Sequence, residues 1–255
     1  MTKKVVVECP VLENYLLGSN IYQLVLAAPD ICRQAKPGQF VQVKTGRMDS
    51  PLLRKPISIA DIVGDKLILI YRVVGEGTKW LSECQIGQTI DVLGPLGNGF
   101  KLEGKRPLLV GGGIGIAPLL YVARQTCPTP VEVLLAGRTA QEMFWTKLFE
   151  NTCKNIYVTT DDGSMGIKGN VTAALPDLLK TGEFDVIYSC GPEPMLKAVS
   201  KIAQEHQVEC QLSLERYMAC GLGVCLSCAC EDKDGKRLKV CLNGPVFQAG
   251  EVEGL

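Results

Sequence analysis

Five of the chain's twelve cysteines fall between Cys220 and Cys241. They read Cys220-x4-Cys225-x2-Cys228, then Cys230, then Cys241 after a longer gap. Thiols so crowded close a disulfide, hold zinc or hold an iron–sulfur cluster. The order C-x4-C-x2-C with a distant fourth cysteine is the spacing of a plant-type [2Fe–2S] centre. Gly221 and Gly223 suit a loop whose backbone N–H groups must face inorganic sulfide without side chains in the way. Zinc ordinarily takes two short knuckles, whereas here the fourth thiol stands alone. A disulfide framework belongs to much smaller secreted chains. A Rieske centre needs two histidines, and the chain has only His206, read as a surface residue at the end of a helical pattern. Spacing alone leaves Cys230 open as an alternative ligand, although it reads more simply as a bystander.

A second chemistry lies in the glycines. Gly111-Gly112-Gly113-Ile114-Gly115-Ile116-Ala117-Pro118 follows a strand-like run and precedes a helical one. Such a turn brings backbone close to a pyrophosphate whose charge the helix N-terminus stabilises, and a proline in the first helical turn gives up no needed N–H. It is not the usual G-x-G-x-x-G, and a tight turn without a ligand would look the same. Cys190-Gly191-Pro192 ends another strand before a helix carrying Met195, and Asp161-Asp162-Gly163-Ser164 follows a third strand. All three fall at carboxyl ends of strands, the edge where open α/β sheets bind ligands. Arg138, after the strand VEVLLAG, is placed either for a 2′-phosphate or for the ribose pocket.

The elements that must hold these residues form three segments. Residues 1–102 carry short strand-like runs (IYQLVLAA, QFVQVK, KLILIYRVV, TIDVLG) separated by turns such as Pro37-Gly38, with one helical turn near Gly77–Glu83. This predicts a small antiparallel barrel. Residues 103–210 alternate apolar strands with helical patterns, including helices over 140–151 and over VTAALPDLLK, which predicts βαβ units and a doubly wound parallel sheet. Residues 211–255 are cysteine-rich, without a long helical pattern. The expected class is therefore multidomain β plus α/β with a small cluster-binding domain.

Composition fits an ordinary globular protein of 255 residues: 46% apolar, 21% charged, with 27 basic and 27 acidic residues. That balance provides no field for nucleic acid or an anionic membrane. The longest uncharged run, Pro107 to Ala123, is broken by four glycines and two prolines, so no spanning helix is expected. No signal-peptide core follows Met1, and the chain reads as cytoplasmic. Most of the seven scattered cysteines (Cys9, Cys32, Cys84, Cys127, Cys153, Cys190, Cys210) read as buried reduced thiols.

Taken in order, the barrel, the GGGIGIAPL loop, the CGPEPM turn and ERYMACGLGVCLSC with a distant VCLNGPVF resemble a known family. It is that of the electron-transfer subunits of two-subunit, NAD-dependent dihydroorotate dehydrogenases, within the ferredoxin reductase-like group. The likeness runs from about Tyr22 to Phe247. The glycine loop and CGPxxM turn are common to the wider group, whereas GPLGNGF (Gly94 to Phe100) and the cysteine-rich ending discriminate better. The resemblance implies FAD on the barrel, contacted by Lys55, Pro56, Ile57 and Ser58, by Ile70, Tyr71 and Arg72, and by Gly77 and Thr78. The family's arginine before the proline is Lys55 here, with Arg54 one residue earlier, which leaves open the cation that meets the pyrophosphate. Taken alone, Tyr71 would read as a core aromatic. The resemblance further implies NAD(H) at Gly112, Gly113, Gly115, Cys190, Gly191 and Pro192, and cluster ligands Cys220, Cys225, Cys228 and Cys241. It implies an FMN-containing dihydroorotate dehydrogenase catalytic subunit as partner, in a heterotetramer of two copies of each, serving UMP synthesis. No pyrimidine site is legible, so the lone chain should be an NADH diaphorase. Rival readings are a related subunit serving a sulfide dehydrogenase or a ferredoxin–NADP transhydrogenase, or a non-catalytic zinc module on a nucleotide-sensing domain.

Overall fold

The computed structural model describes residues 3–46, 51–126, 129 and 131–255; Cys127, read above as a small buried thiol, lies outside the described residues. Its first part is a closed six-stranded antiparallel barrel. The strands are β1 (Val5–Gly18), β2 (Ile21–Ala27), β3 (Phe40–Val43), β4 (Lys55–Val63), β5 (Lys66–Arg72) and β6 (Thr89–Leu96), in spatial order β1-β2-β5-β4-β3-β6. Two short helices, α1 (Pro29–Cys32) and α2 (Glu76–Ser82), sit between strands. The period of two decides what faces inward. Val41 and Val43, Ile57 and Ile59, and Leu67, Leu69 and Tyr71 enter the barrel core. Phe40 turns outward, into a cluster shared with the rest of the chain.

The second part is a parallel sheet of β7 (Pro107–Gly112), β8 (Glu132–Gly137), β9 (Asn155–Thr160), β10 (Ile167–Lys168), β11 (Val186–Cys190) and β12 (Glu209–Ser213). The order runs β10-β9-β8-β7-β11-β12. Helices α3 (Ala117–Thr126) and α4 (Thr146–Phe149) cover one face, and α5 (Leu175–Thr181) and α6 (Glu193–Glu205) the other. Both faces are buried over β7, β8 and β11, so these central strands read as largely apolar runs. Leu108 and Val110 of β7 point to the α5–α6 side and Leu109 to the α3–α4 side.

Three details differ from the sequence expectation. The helix expected over 140–151 is a 3-10 segment, Ala140–Trp145, followed by the single turn of α4; Met143 breaks the helix with φ −91° and ψ 20° while its side chain is buried against Gly137. The VTAALPDLLK helix likewise begins as a 3-10 turn, Val171–Ala173. The boundary placed after residue 210 falls inside β12, because ECQLS pairs with β11 along its whole length. Beyond it, β13 (Ala229–Glu231) and β14 (Arg237–Lys239) form a ribbon, and β15 (Val246–Gln248) returns antiparallel to β12. This last strand closes an otherwise open sheet edge and ties the cysteine-rich segment to the nucleotide domain.

The barrel and the second domain are joined through α3. Arg124 Nε donates to Asp61 Oδ2 at 2.6 Å, and Tyr121 enters the barrel cluster while its hydroxyl donates to Ala35 O at 3.1 Å. Among the described residues no helix is long and apolar enough to cross a membrane.

Candidate functional site

Where the barrel, the glycine turns and the cysteine-rich segment meet, a cleft of about 360 Å³ opens. Lys55, Pro56, Ile57 and Ser58 of β4, Ile70, Tyr71 and Arg72 of β5, and Thr78 of α2 line it, facing Gly115 and Pro118 across the gap. Gly77 stands behind this wall: a Cβ there would lie 2.5 Å from Lys55 Cε and 2.7 Å from Thr45 Oγ1, so the lysine stem lies directly over it. Tyr71 stacks on Tyr22 with ring centroids 6.1 Å apart, and burial pushes its hydroxyl up.

Several polar atoms here lack protein partners. Tyr71 Oη, Arg72 Nε and Thr45 Oγ1 are buried and unpaired, and buried polar groups normally find a partner. The two candidate cations are placed differently. Arg54 is held by both carboxylate oxygens of Asp91 at 2.9 Å each, and also donates to the Asp91 carbonyl at 3.2 Å. Lys55 lines the cleft instead. Thr78 is occupied: its hydroxyl accepts from the N–H groups of Val74 and Gly75 and donates to Gly75 O, capping α2. An aromatic hydroxyl, a guanidinium N–H and a lysine left for a ligand fit a flavin dinucleotide.

The two glycine turns pack against each other. A Cβ on Gly115 would lie 2.6 Å from Gly191 Cα and N and 2.7 Å from the Cys190 carbonyl carbon. One on Gly112 would lie 2.6 Å from Met195 Sδ, and one on Gly191 2.5 Å from Met195 Cε. Gly115 is therefore required by turn-on-turn packing, a reason additional to the approach to a phosphate read from the sequence, whereas a Cβ on Gly112 or Gly191 would chiefly displace the flexible end of Met195. Gly113 differs: its φ is +58°, and a Cβ would meet nothing. Cys190 ends β11 between Gly111 of β7 and Ser213 of β12 and is buried, which pushes its thiol up to about 12 and keeps it neutral. Pro192 caps α6. On the same sheet edge Arg138 Nε donates to Glu142 Oε1 at 2.9 Å; this hydrogen bond holds the Glu142 carboxyl below the usual range.

In the cysteine-rich loop, Cys220 Sγ accepts from the backbone N–H groups of Leu222, Val224 and Cys225 at 3.3, 3.4 and 3.5 Å. Burial raises the Cys220 thiol, but these donors outweigh it and leave it below the ordinary value. The Ser227 N–H, with smaller contributions from Cys220, holds Cys225 down to about 6. Cys228 and Cys241 are buried with sulfurs 3.2 Å apart, and burial pushes Cys241 up to about 12. Among the described residues no three His, Cys, Asp or Glu side chains converge as they would on a single ion. The thiols come instead as two pairs, Cys220 hydrogen-bonded with Cys225 and Cys228 with Cys241. Two pairs suit a two-iron centre, and N–H groups already turned to Cys220 suit its charge. Cys230 lies on β13 opposite Leu238, and His206 follows α6.

Sequence reasoning missed Glu215 and Gln42. Glu215 lines the cleft and two adjoining cavities, one running to Cys190, Ser213 and Met218, the other to Arg54, Tyr217 and Ser227. Glu215 is exposed at this junction, and the protein packed beneath its carboxyl pushes it up. Only its place at the end of β12, just ahead of the cysteines, hinted at this.

Comparison with known proteins gives the following. Residues 215–253 match the model of the iron-sulfur cluster binding domain of dihydroorotate dehydrogenase B, and residues 109–201 that of the oxidoreductase NAD-binding domain. A relative from Caldanaerobacter subterraneus subsp. tengcongensis, named dihydroorotate dehydrogenase B (NAD(+)), electron transfer subunit, is 42% identical over 246 residues, covering 95% of this chain and 96% of its own. A Geobacillus protein of the same name is 44% identical, covering 92% and 94%. Among solved structures, a chain of an NADH-dependent reduced ferredoxin-NADP oxidoreductase, described in terms of flavin-based electron bifurcation, superposes with a TM-score of 0.87 at 31% identity, over 97% of this chain and 90% of its own.

Proposed function

Because the chain belongs to the family of dihydroorotate dehydrogenase B electron transfer subunits, we propose that it carries electrons between NAD and a catalytic partner subunit that oxidises dihydroorotate, in pyrimidine synthesis. One observation carries this reading: the cleft lined by Lys55, Tyr71 and Arg72 is continuous, through Pro56 and Glu215, with cavities reaching Cys190 and the segment entering the cysteine loop. When bound, FAD supplies the exchange of a hydride for single electrons, and a [2Fe–2S] centre supplies one-electron transfer.

The chain's own residues bind, orient and seal. Lys55 meets the flavin pyrophosphate, while Tyr71 Oη and Arg72 Nε receive the flavin's polar edge. Gly112, Gly115, Gly191 and Pro192 form the nicotinamide dinucleotide floor, and the neutral Cys190 thiol lies at its inner end as a packing group, not a nucleophile. Glu215 holds a carboxyl that takes up or gives up a proton at the cleft. Cys220, Cys225, Cys228 and Cys241 hold the cluster, with the N–H groups of residues 222, 224 and 225 compensating its charge. Leu222, Val224 and Leu226 are exposed around Cys225, and an exposed apolar rim of this kind fits a protein partner. We assign that partner an FMN and a place in an assembly of two copies of each chain. The eleven described cysteines are all free, which fits a reducing cytoplasm.

The ferredoxin–NADP oxidoreductase likeness supports a second reading, with a different partner on the same scaffold; its 31% identity against 42–44% places it second. The test is purified holoprotein with NADH and an artificial acceptor, then with dihydroorotate, alone and with the partner. The reading expects diaphorase activity alone and dihydroorotate turnover only in the complex. Turnover by the lone chain, or none in the complex, overturns it.

A further inference from the structure

Gln42 is fully buried on the outer face of β3, and both its amide nitrogen and oxygen lack a hydrogen-bond partner. A buried amide left unmatched is costly, so its presence here points to a partner outside the polypeptide. The amide's surroundings say which. A Cβ on Gly221 would stand 2.8 Å from Gln42 Cγ, 2.9 Å from its Nε2 and 3.2 Å from Leu96 Cδ1. The side chain therefore lies against the residue that follows Cys220, and Gly221 is small where Gln42 arrives. On its other side Gln42 pairs with Pro56 of the adjacent strand β4, which lines the cleft. The amide thus stands between the flavin cleft and the cluster loop, a place where an apolar residue would pack more cheaply.

We propose that Gln42 is a positioning residue for the iron–sulfur centre, its Nε2–H donating to a sulfur of the cluster held by Cys220. This rests on the reading that the four cysteines hold a [2Fe–2S] centre. A hydrogen bond to sulfur stabilises the extra negative charge of the reduced state, so it raises the centre's reduction potential. The barrel that carries the flavin then also tunes the electron acceptor beside it.

The test uses holoprotein in which glutamine side chains carry ¹⁵N, reduced with dithionite and studied by pulsed EPR. Wild type should show a ¹⁵N coupling on the reduced-cluster signal, and Gln42→Leu should lose it. Redox titration of Gln42→Leu and of the equally shaped Gln42→Glu should place the cluster midpoint at more negative potential, with the flavin midpoint unmoved. A loaded cluster without the coupling in wild type, or an unmoved cluster midpoint in the variants, overturns this proposal alone. Should Gln42→Leu fail to load, the wild-type coupling decides. Protein without iron overturns the cluster reading and this assignment with it.

Discussion

Replacing Gly115 by alanine puts a methyl group where the structure has backbone. The new Cβ would lie 2.6 Å from Gly191 Cα and N, and ordinary contact begins near 3.4 Å, so the two turns must part by about 0.8 Å. Neither can yield by rotating a side chain, because the opposing atoms belong to the CGP turn itself. Overpacking of this kind costs about 1–3 kcal/mol, and a misplacement near 1 Å costs up to about a hundredfold in rate where it disturbs binding geometry. Gly113→Ala is the matched control, since its Cβ meets nothing and its φ of +58° carries only the left-handed penalty of about 1–2 kcal/mol. Steady-state NADH oxidation with an artificial acceptor, read beside FAD content and melting temperature, separates the two. Gly115→Ala should raise KM for NADH or lower kcat by roughly tenfold or more while FAD is retained, and Gly113→Ala should act mainly on stability. Normal kinetics in Gly115→Ala with a full loss in Gly113→Ala would refute the packing argument.

Three further outcomes follow from the same geometry. Lys55→Met should weaken FAD binding about ten- to a hundredfold, the worth of one charge-assisted contact; Arg54→Met, whose partner is Asp91, should lower the melting temperature and spare FAD affinity in equilibrium dialysis. Arg124→Leu strands the Asp61 carboxyl, buried between barrel and α3, and should cost about 1–3 kcal/mol in urea unfolding, a loss that Asp61→Asn in the same chain partly restores. The protein packed beneath the Glu215 carboxyl raises it, but the side chain is exposed, so solvent screens the effect and stability falls only modestly as pH rises above the ordinary carboxylate range. Glu215→Gln should therefore be more stable than wild type at pH 8, and the difference should close below about pH 4; an unchanged gap across that range would contradict the assignment.

Much of this was written in local pattern. Alternating Val41 and Val43, or Leu67, Leu69 and Tyr71, announce barrel strands because inward residues recur every second position. The apolar runs PLLVGG and VIYSC announce a sheet covered on both faces. The glycine turns and cysteine spacing are likewise local. The rest is tertiary. Residues 140–151 carry helical composition, but burying Met143 against Gly137 breaks the helix, a contact that sequence does not display. The reason for Gly115 lies seventy-six positions away at Gly191. VFQ reads as a motif ending and not as the strand that seals β12. Gln42 looks like any polar strand residue until the fold lays Gly221 over it, and Glu215 is an exposed carboxylate that only the fold sets where three cavities converge.

The most direct test of the whole account is elemental. Chain purified without oxygen is assayed for iron, acid-labile sulfide and FAD. A chain that links hydride chemistry to single-electron delivery should carry about two irons and two sulfides beside one flavin, and Cys225→Ser should lose the metal while keeping the flavin. Zinc in place of iron, or flavin with no sulfide in the wild-type chain, would contradict it.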